Sequence, residues 1–243
     1  MKGKNLKIYA IGDLHLGFGE NVNKPMGVFG SGWEDHEERL KNNWEELVGG
    51  DDIVILPGDL SWGLKLEDAV ADLDWIHDLP GKKVIFKGNH DLWWTGIKRL
   101  NSMYDDMYFM QNEAYMVNDE IAIAGARGWI TPGSDEFDEH DDKIYKREIM
   151  RLEMSLKAAA RKGAATIIAA MHYPPAYAGG DATGFSELFA EYGIKYCVYG
   201  HLHGAVAFGS GIRGKSGCTY YKLVSLDYLG ARPKLIYDGV FID

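Results

Sequence analysis

Residues 7–15 read KIYAIGDLH, a short apolar run that ends in closely spaced polar residues. Residues 52–59 (DIVILPGD) and 83–91 (KVIFKGNHD) have the same form. Short apolar runs that stop at Gly or Pro predict buried strands. Apolar residues with helical spacing occupy the two intervals, at 36–47 and 66–76. Strand–helix–strand–helix–strand predicts parallel strands joined by right-handed crossovers.

The second half of the chain adds strands and one long amphipathic helix. The spacing from Tyr145 to Ala159 predicts a helix that stops near Gly163. Strands are predicted at 121–124, 166–170, 195–199, 205–208, 219–225 and 234–237. The expected fold class is α/β (α+β mixed): a sandwich of two mixed sheets flanked by helices. A length of 243 residues favours a single domain over residues 1–243.

Composition and charge narrow the class of protein. Hydrophobic residues make up 46% and charged residues 26%, which is ordinary for a globular chain. The 26 Lys and Arg against 36 Asp and Glu give a net charge of −10, which disfavours strong binding to nucleic acid or to anionic membranes. No apolar run approaches the roughly 18 residues of a membrane span. Asp13 interrupts the first apolar run, so that run resembles a strand more than a signal peptide. We therefore predict a soluble, cytoplasmic protein.

Potential metal ligands and acid–base groups follow the predicted strands. The set comprises Asp13, His15, Asp59, Asn89, His90, Asp91, His172, His201 and His203. Because ligands bind outside the carboxyl ends of parallel strands, we expect these side chains to converge on one rim. Alternation along an extended chain would place Asp13 and His15 on the same side, and likewise His201 and His203.

This donor set predicts metal binding. Imidazole and carboxylate suit Zn, Mn, Fe or Ni, and the absence of thiolate argues against a structural zinc site. Seven ligands are too many for one ion, whereas two ions bridged by a carboxylate would use them all. Any one of these residues taken alone reads equally well as a solvated loop residue or a core histidine.

The ordered motifs, Asp-x-His, Gly-Asp, Gly-Asn-His-Asp, His and Gly-His-x-His, resemble those of the calcineurin-like metallophosphoesterases from Asp13 to His203. The resemblance implies a β-sandwich flanked by helices and two divalent ions, of Mn, Fe, Zn, Ni or Co. It assigns one ion to Asp13, His15 and His203 and the other to Asn89, His172 and His201, with Asp59 bridging. It also implies that His90 is the catalytic acid and that Asp91 supports it.

Departures from the family pattern narrow the expected branch. Residues 58–63 read GDLSWG, whereas the family's protein Ser/Thr phosphatases extend this motif to Gly-Asp-x-x-Asp-Arg-Gly. Those phosphatases also have Glu after Asn-His, whereas here Asp91 follows His90. The chain is more similar to the phosphodiesterase and purple-acid-phosphatase-like branches, and most similar to uncharacterised bacterial predicted phosphohydrolases. The predicted substrate is a small phosphodiester or phosphomonoester, nucleotide-like esters included, attacked by hydroxide that forms from water between the ions.

Two alternative functions stay open at this point. A nuclease acting on DNA or RNA also occurs in the family, but the net charge and the lack of a basic stripe count against it. A metal-binding scaffold without turnover is the other, although such members lose ligands and this sequence keeps every one.

Four further residues are candidate substrate contacts, because they lie in or beside the long segments 17–32 and 126–138: Trp33, His36, Arg127 and Trp129. Such long irregular segments are typical of functional loops. Arg127 would clamp a phosphate or form a surface ion pair, and the two tryptophans would form substrate walls or pack in the core.

Overall fold

Two mixed sheets form the framework of this computed structural model, which describes residues 6–134 and 137–242. One sheet has the order β11-β1-β2-β3-β4, with strands Lys234–Asp238, Lys7–Ala10, Ile53–Leu56, Lys82–Ile85 and Met107–Phe109. The other has the order β5-β6-β7-β8-β10-β9, with strands Ala114–Met116, Ile121–Ala126, Thr166–Met171, Tyr196–Tyr199, Thr219–Leu223 and Gly214–Ser216. The predicted sandwich of two mixed sheets is confirmed.

Helices cover the outer faces of both sheets. They are α1 (His36–Leu47), α2 (Leu66–Asp78), α3 (Ile97–Leu100), α4 (Glu139–Arg161), α5 (Gly184–Glu191) and α6 (Gly204–Phe208), with short 3₁₀ turns at Met26–Phe29 and Ser31–Trp33. Among the described residues, no helix has the length and apolar character that crossing a membrane would require.

Parallel pairing brings the carboxyl ends of the central strands to one rim. β1, β2, β3 and β4 are parallel, as are β6, β7, β8 and β10, while β11, β5 and β9 pair antiparallel to their neighbours. A parallel bridge between Gly12 and Ser225 joins the two sheets just beyond β1 and β10. The Gly12 N–H donates to the Val224 carbonyl at 2.8 Å, and the Leu226 N–H donates to the Gly12 carbonyl at 3.0 Å. The ends of these strands are therefore held together.

Three apolar layers explain why the central strands read as unbroken apolar runs. Ile8 and Ile55 point into the layer between the sheets, where they share a cluster with Ile123 and Ile168. Val54 faces the opposite side, toward α1 and α2. A second outer layer lies between the other sheet and helices α4 and α5. All four residues of β2 are buried, because both faces of the sheet are covered.

The predicted strand at 205–208 is wrong, because these residues lie in α6. Gly204 has φ +77°, which turns the chain after His203, and Val206 is 95% exposed. The apolar residues at 205–208 therefore do not form a buried strand. The short strands β4, β5 and β9 and helices α3 and α5 were not predicted, since each is too short or too irregular to give a clear period.

Candidate metal centre

The rim gathers seven predicted ligands from five strand ends. They are Asp13 and His15 after β1, Asp59 after β2, Asn89 after β3, His172 after β7, and His201 and His203 after β8. Their contacts bring side chains as far apart in sequence as His15 and His203 within 3.3 Å of each other. The seven side chains therefore lie together at one rim, as their positions at strand ends predict.

The backbone at four of these ligands is left-handed, so strand alternation, the predicted reason why paired ligands share a side, is wrong. Asp13, His15, Asp59 and His201 have φ of 57°, 47°, 52° and 72°, and they make up four of the seven non-glycine residues with positive φ in the described chain. Such left-handed residues cost about 1–3 kcal/mol each and persist where the surroundings over-determine them. The side chains converge because of tight turns and not because of strand alternation.

Two glycines permit these turns to approach the carboxylates. A Cβ on Gly88 would lie 2.0 Å from Asp59 Oδ1, and a Cβ on Gly200 would lie 2.3 Å from Asp13 Oδ2. Any side chain at either position would displace a predicted ligand. The glycine before Asn89 and the glycine before His201 are therefore required by packing at the centre.

Asp91 holds the turn that carries Asp59. Its buried carboxylate accepts hydrogen bonds from the backbone N–H groups of Gly88 (2.7 Å), Asp59 (2.8 Å) and Leu60 (2.9 Å), and from the Trp93 indole (3.1 Å). Burial, followed by the charge of Asp59, raises the pKa of Asp91 to about 6. None of its described hydrogen bonds goes to the His90 ring, so the expectation that Asp91 supports His90 directly is not what the structure contains.

Asp13, His15 and His203 form the first donor group. The Nε2 atoms of His15 and His203 are 3.3 Å apart, and His203 Nε2 lies 3.6 Å from Asp13 Oδ1. One donor atom from each of the three residues lies within 4.8 Å of the others. Asp13 also accepts a hydrogen bond from the His201 N–H at 2.9 Å, which ties this group to the second.

Asn89, His172 and His201 form the second donor group. Asn89 Oδ1 lies 2.7 Å from His172 Nε2 and 3.0 Å from His201 Nδ1, and these two nitrogens are 3.3 Å apart. The other His172 nitrogen, Nδ1, is 3.1 Å from the Pro57 carbonyl, which fixes the orientation of the ring.

Asp59 lies between the two groups. Its Oδ2 atom is 3.3 Å from His172 Nε2 and 4.0 Å from His15 Nε2. Its Oδ1 accepts the His90 backbone N–H at 2.7 Å, whereas Oδ2 is buried and accepts no hydrogen bond in the described part of the chain. A buried carboxylate oxygen without a donor, facing imidazole nitrogens on both sides, fits divalent cations of the borderline class.

The electrostatics favour the ligating form of most of these side chains. Burial lowers the pKa of His15 to about 4, and burial together with His172 lowers the pKa of His201 to about 3. Burial alone would raise the pKa values of Asp13 and Asp59, but the neighbouring histidines outweigh it and lower both. Burial would likewise lower the pKa of His172, but the charges of Asp59 and Asp13 outweigh it and raise that pKa. At neutral pH His15 and His201 are therefore neutral imidazoles, and Asp13 and Asp59 are carboxylates.

His203 has a strongly raised pKa, and its partner Asp227 was missed by the sequence analysis. Burial would lower the pKa of His203, but hydrogen bonds to Asp13 and Asp227 outweigh it and raise the pKa to about 10. His203 Nδ1 is 3.0 Å from Asp227 Oδ1, and Asp227 also accepts the backbone N–H groups of Gly204 and Tyr228, each at 3.1 Å. Asp227 follows β10, so the strand-end rule could have found it.

A pocket of about 580 Å³ opens beside the first donor group. Its lining includes His15 and His203 together with Met26, Phe29, Trp33, Trp62, His90, Phe208 and Asp227. The Trp62 ring stacks on His15 at 4.7 Å, and the Trp33 ring lies 5.5 Å from His15. Trp33 therefore lies where the sequence prediction needs it, at the wall of the pocket.

The His90 ring borders this pocket and is exposed. It lies 4.6 Å from the Trp62 ring and 5.7 Å from the His15 ring, measured between centroids. Its nitrogens make no hydrogen bond within the described residues. Partial burial lowers the pKa of His90, and the charge of Asp59 opposes this shift.

His36 does not reach the pocket. It is 2% exposed, and its ring nitrogens lie 3.2 Å from the Trp33 carbonyl and 3.1 Å from the Leu14 carbonyl. The predicted substrate contact is therefore wrong in its geometry, and His36 instead fixes the backbone on both sides of the pocket wall.

The side chains of Arg127 and Trp129 do not line this pocket, although the Arg127 carbonyl accepts the His172 N–H at 3.1 Å. Arg127 Nη2 is 3.4 Å from Glu148, and its guanidinium lies over the Trp129 ring at 4.5 Å. Trp129 Nε1 donates to Asp141 at 2.8 Å. Both residues follow β6, which is one strand beyond the ligand-bearing β7 in the sheet, and this displaces them from the cluster. Asp135 and Glu136 of the same segment lie outside the described residues.

Sequence and structure comparisons agree on the fold. The sequence model of the family described as "Calcineurin-like phosphoesterase" matches residues 6–205. The "Gene 66 protein" of Mycobacterium phage D29 is 34% identical over 117 residues, which cover 48% of this chain and 53% of that protein. The chain spans about half or less of the length of the curated relatives that it matches.

Two solved structures share the architecture. TT1561 of Thermus thermophilus is 14% identical, with 95% of this chain and 98% of that chain covered at a TM-score of 0.59. The Phosphopantetheinyl Hydrolase (PptH) of Mycobacterium tuberculosis is 15% identical, with 92% and 90% covered at a TM-score of 0.54. At these identities the likeness concerns the fold alone.

Proposed function

The chain belongs to the calcineurin-like phosphoesterase family, and from this premise we propose that it is a metal-dependent phosphoric ester hydrolase with two divalent ions. The observation that carries the proposal is the position of Asp59 Oδ2, which is buried without a hydrogen-bond donor between His172 and His15. One carboxylate shared by two donor groups is the arrangement that a two-ion centre requires.

The ligand assignment follows from the two groups. Asp13, His15 and His203 would hold one ion, Asn89, His172 and His201 would hold the other, and Asp59 would be shared. Ions bound there would supply Lewis-acid stabilisation of the phosphoryl oxygens and would lower the pKa of water. Asp227 would orient His203 and increase its basicity, as carboxylates beside ligating histidines commonly do.

His90 is the group best placed to act as the general acid. Its ring borders the pocket and has no hydrogen-bond partner among the described residues, so a ring N–H is free to face a leaving group. Transfer of a proton from the imidazolium form of His90 to the leaving alkoxide oxygen would give a neutral alcohol and a neutral imidazole. The His90 backbone N–H meanwhile holds Asp59 Oδ1 at 2.7 Å, which keeps the shared carboxylate in place.

The pocket walls favour a small ester with an apolar or aromatic group, nucleotide-like esters included. Met26, Phe29, Trp33 and Trp62 supply apolar and aromatic surface next to the first donor group. Aromatic rings stack readily on such surfaces. The net charge of −10 makes polymeric nucleic acid a poor substrate.

The test combines metal content with turnover. Protein reconstituted with Mn, Zn, Fe, Ni or Co should hold two ions per chain and should hydrolyse a panel of nitrophenyl mono- and diesters, and a chelator should abolish the activity. Asp59→Asn should weaken the binding of both ions. Asp51→Asn, which changes an exposed carboxylate, should leave the binding of both ions unchanged. Activity that survives the chelator, or no turnover with any of these metals, would refute the proposal.

A further inference from the structure

A second pocket has a volume of about 440 Å³. It is formed by the segments that follow β3, β4 and β6 and by one face of α4. It contains none of the seven proposed metal ligands and shares no lining residue with the pocket beside them. Nothing in the proposed hydrolysis uses it.

Positive charge is concentrated in this pocket. Four cations line it, namely Lys87, Arg127, Arg147 and Arg151, and Glu148 is the single acidic residue of the lining, so the formal charge of the lining is 4 − 1 = +3 in a chain of net charge −10. Glu148 is fully buried, and its Oε1 is 3.4 Å from both Arg127 Nη2 and Arg151 Nη1. One carboxylate shared in this way leaves an excess of cations, and a concave site of one sign of charge concentrates counter-ions.

Polar atoms without partners also collect here. Seven buried side-chain nitrogen or oxygen atoms have no hydrogen bond in the described chain, and three belong to residues that line this pocket: Asn112 Oδ1, Arg127 Nε and Glu148 Oε2. Buried polar groups are nearly always hydrogen-bonded, so such a cluster indicates a missing partner. One of the three is a donor, which suits an anion oxygen, and the other two are acceptors, which suit a hydroxyl or N–H group.

Arg127, one of the lining residues, is held in a defined orientation. Its guanidinium is stacked over the Trp129 ring at 4.5 Å and paired with Glu148 on one side. A planar guanidinium fixed in this way recognises carboxylate and phosphate oxygens through paired N–H donors. Phe86, Trp94 and Met110 add an apolar wall to the lining, and the volume suits a small organic molecule.

From the charge, the unpartnered atoms and the apolar wall, we propose that this pocket is a second binding site, which takes a phosphate group that also carries a hydroxyl donor. Inorganic phosphate and a small phosphate ester both have this chemistry. This site is formed by residues different from those of the proposed catalytic centre, so the two proposals can be tested independently.

The experiment measures binding of inorganic phosphate, adenosine monophosphate and adenosine by titration calorimetry, with metal-loaded and with chelated protein. Arg147→Gln removes an exposed cation that lines the pocket, and Arg161→Gln removes an exposed cation at the end of the same helix outside it. Both variants change the net charge equally, and neither residue is among the described ion pairs.

We expect saturable binding that survives chelation, weakens about tenfold in Arg147→Gln, as loss of one charge-assisted hydrogen bond predicts, and is unchanged in Arg161→Gln. Tighter binding of adenosine monophosphate than of phosphate, with none of adenosine, would identify a phosphate ester as the ligand, and the reverse order would identify free phosphate. Loss of binding on chelation, equal weakening in both variants, or no saturable binding would overturn the proposal.

Discussion

The side chain and the backbone of His90 perform separable tasks, and His90→Ala separates them. The variant keeps the backbone N–H that donates to Asp59 Oδ1 at 2.7 Å, so the shared carboxylate stays in place. It removes an exposed ring that makes no hydrogen bond in the described chain. The centroid of this ring lies 4.6 Å from that of Trp62 and 5.7 Å from that of His15. We therefore expect unchanged metal content and a loss of stability below about 1 kcal/mol.

The effect on rate depends on the leaving group. An alkoxide is strongly basic and needs its proton in the transition state, so alkyl esters should lose about 10²–10⁴ in kcat/KM, the usual contribution of a general acid. This loss corresponds to about 2.7–5.4 kcal/mol in the barrier. A nitrophenolate is stable as the anion, and its esters should be affected much less.

The assay compares kcat/KM for alkyl and nitrophenyl esters of the same phosphate, with metal content measured for each variant. The control is Leu92→Ala, which truncates an exposed side chain close to His90 in sequence and outside the pocket. It should leave kcat/KM unchanged for both the alkyl and the nitrophenyl esters. A uniform loss for all leaving groups with both ions bound would mean that His90 stabilises phosphoryl charge. Loss of an ion would mean that the ring is itself a ligand.

Four further outcomes follow from the same contacts. Asp91→Asn should lower the free energy of unfolding by about 1.5–3 kcal/mol in urea titrations, because an amide N–H would face backbone donors, and stability equal to wild type would contradict this role. Asp227→Asn should weaken metal binding by about 10–100-fold in metal titrations, since it removes the carboxylate that orients His203, and unchanged affinity would exclude that function. The pKa of His203 is raised from 6.5 to about 10, so in metal-free protein its stabilising charge should be fully present below pH 6.5 and lost as the pH rises through 10; a thermal melting profile identical to that of His203→Gln would refute this. Trp33→Ala should raise KM for aryl esters more than for methyl esters, and equal changes would make Trp33 a packing residue.

The ligands could be predicted from sequence because each follows a strand buried on both faces. In the sequence such strands are unbroken apolar runs, and each strand ends where polar residues begin. The backbone conformation at these ends could not be predicted. The Asp-x-His pattern at 13–15 is compatible with an extended chain and with left-handed turns. Only its contacts with a distant segment favour the turns, since the Asp13 N–H donates to the Gly58 carbonyl at 2.9 Å and the His15 N–H donates to the Asp59 carbonyl at 3.0 Å.

Residues that act through distant partners were harder to identify. His203 and Asp227 share a hydrogen bond but are separated in sequence by α6 and the β9–β10 hairpin. No local sequence pattern connects the two residues. His36 has helical spacing and a position after a long loop, and these features do not reveal that its ring nitrogens face two backbone carbonyls. In both cases the burial and the partners of the side chain decide its role.

Strand order explains which strand-end residues joined the metal centre. The strands followed by ligands are contiguous in each sheet, β1-β2-β3 in one and β7-β8 in the other, and the Gly12–Ser225 bridge draws the end of β10 into the same block. Asp227, after β10, therefore reaches His203. The strands β4 and β6 lie just outside this block, and the segments that follow them carry Asn112 and Arg127 to the second pocket. The rule of polar residues at strand ends thus extends to Asn112 and Arg127, and the order of the strands, which cannot be predicted from local sequence, explains why these two residues reach the second pocket and not the metal centre.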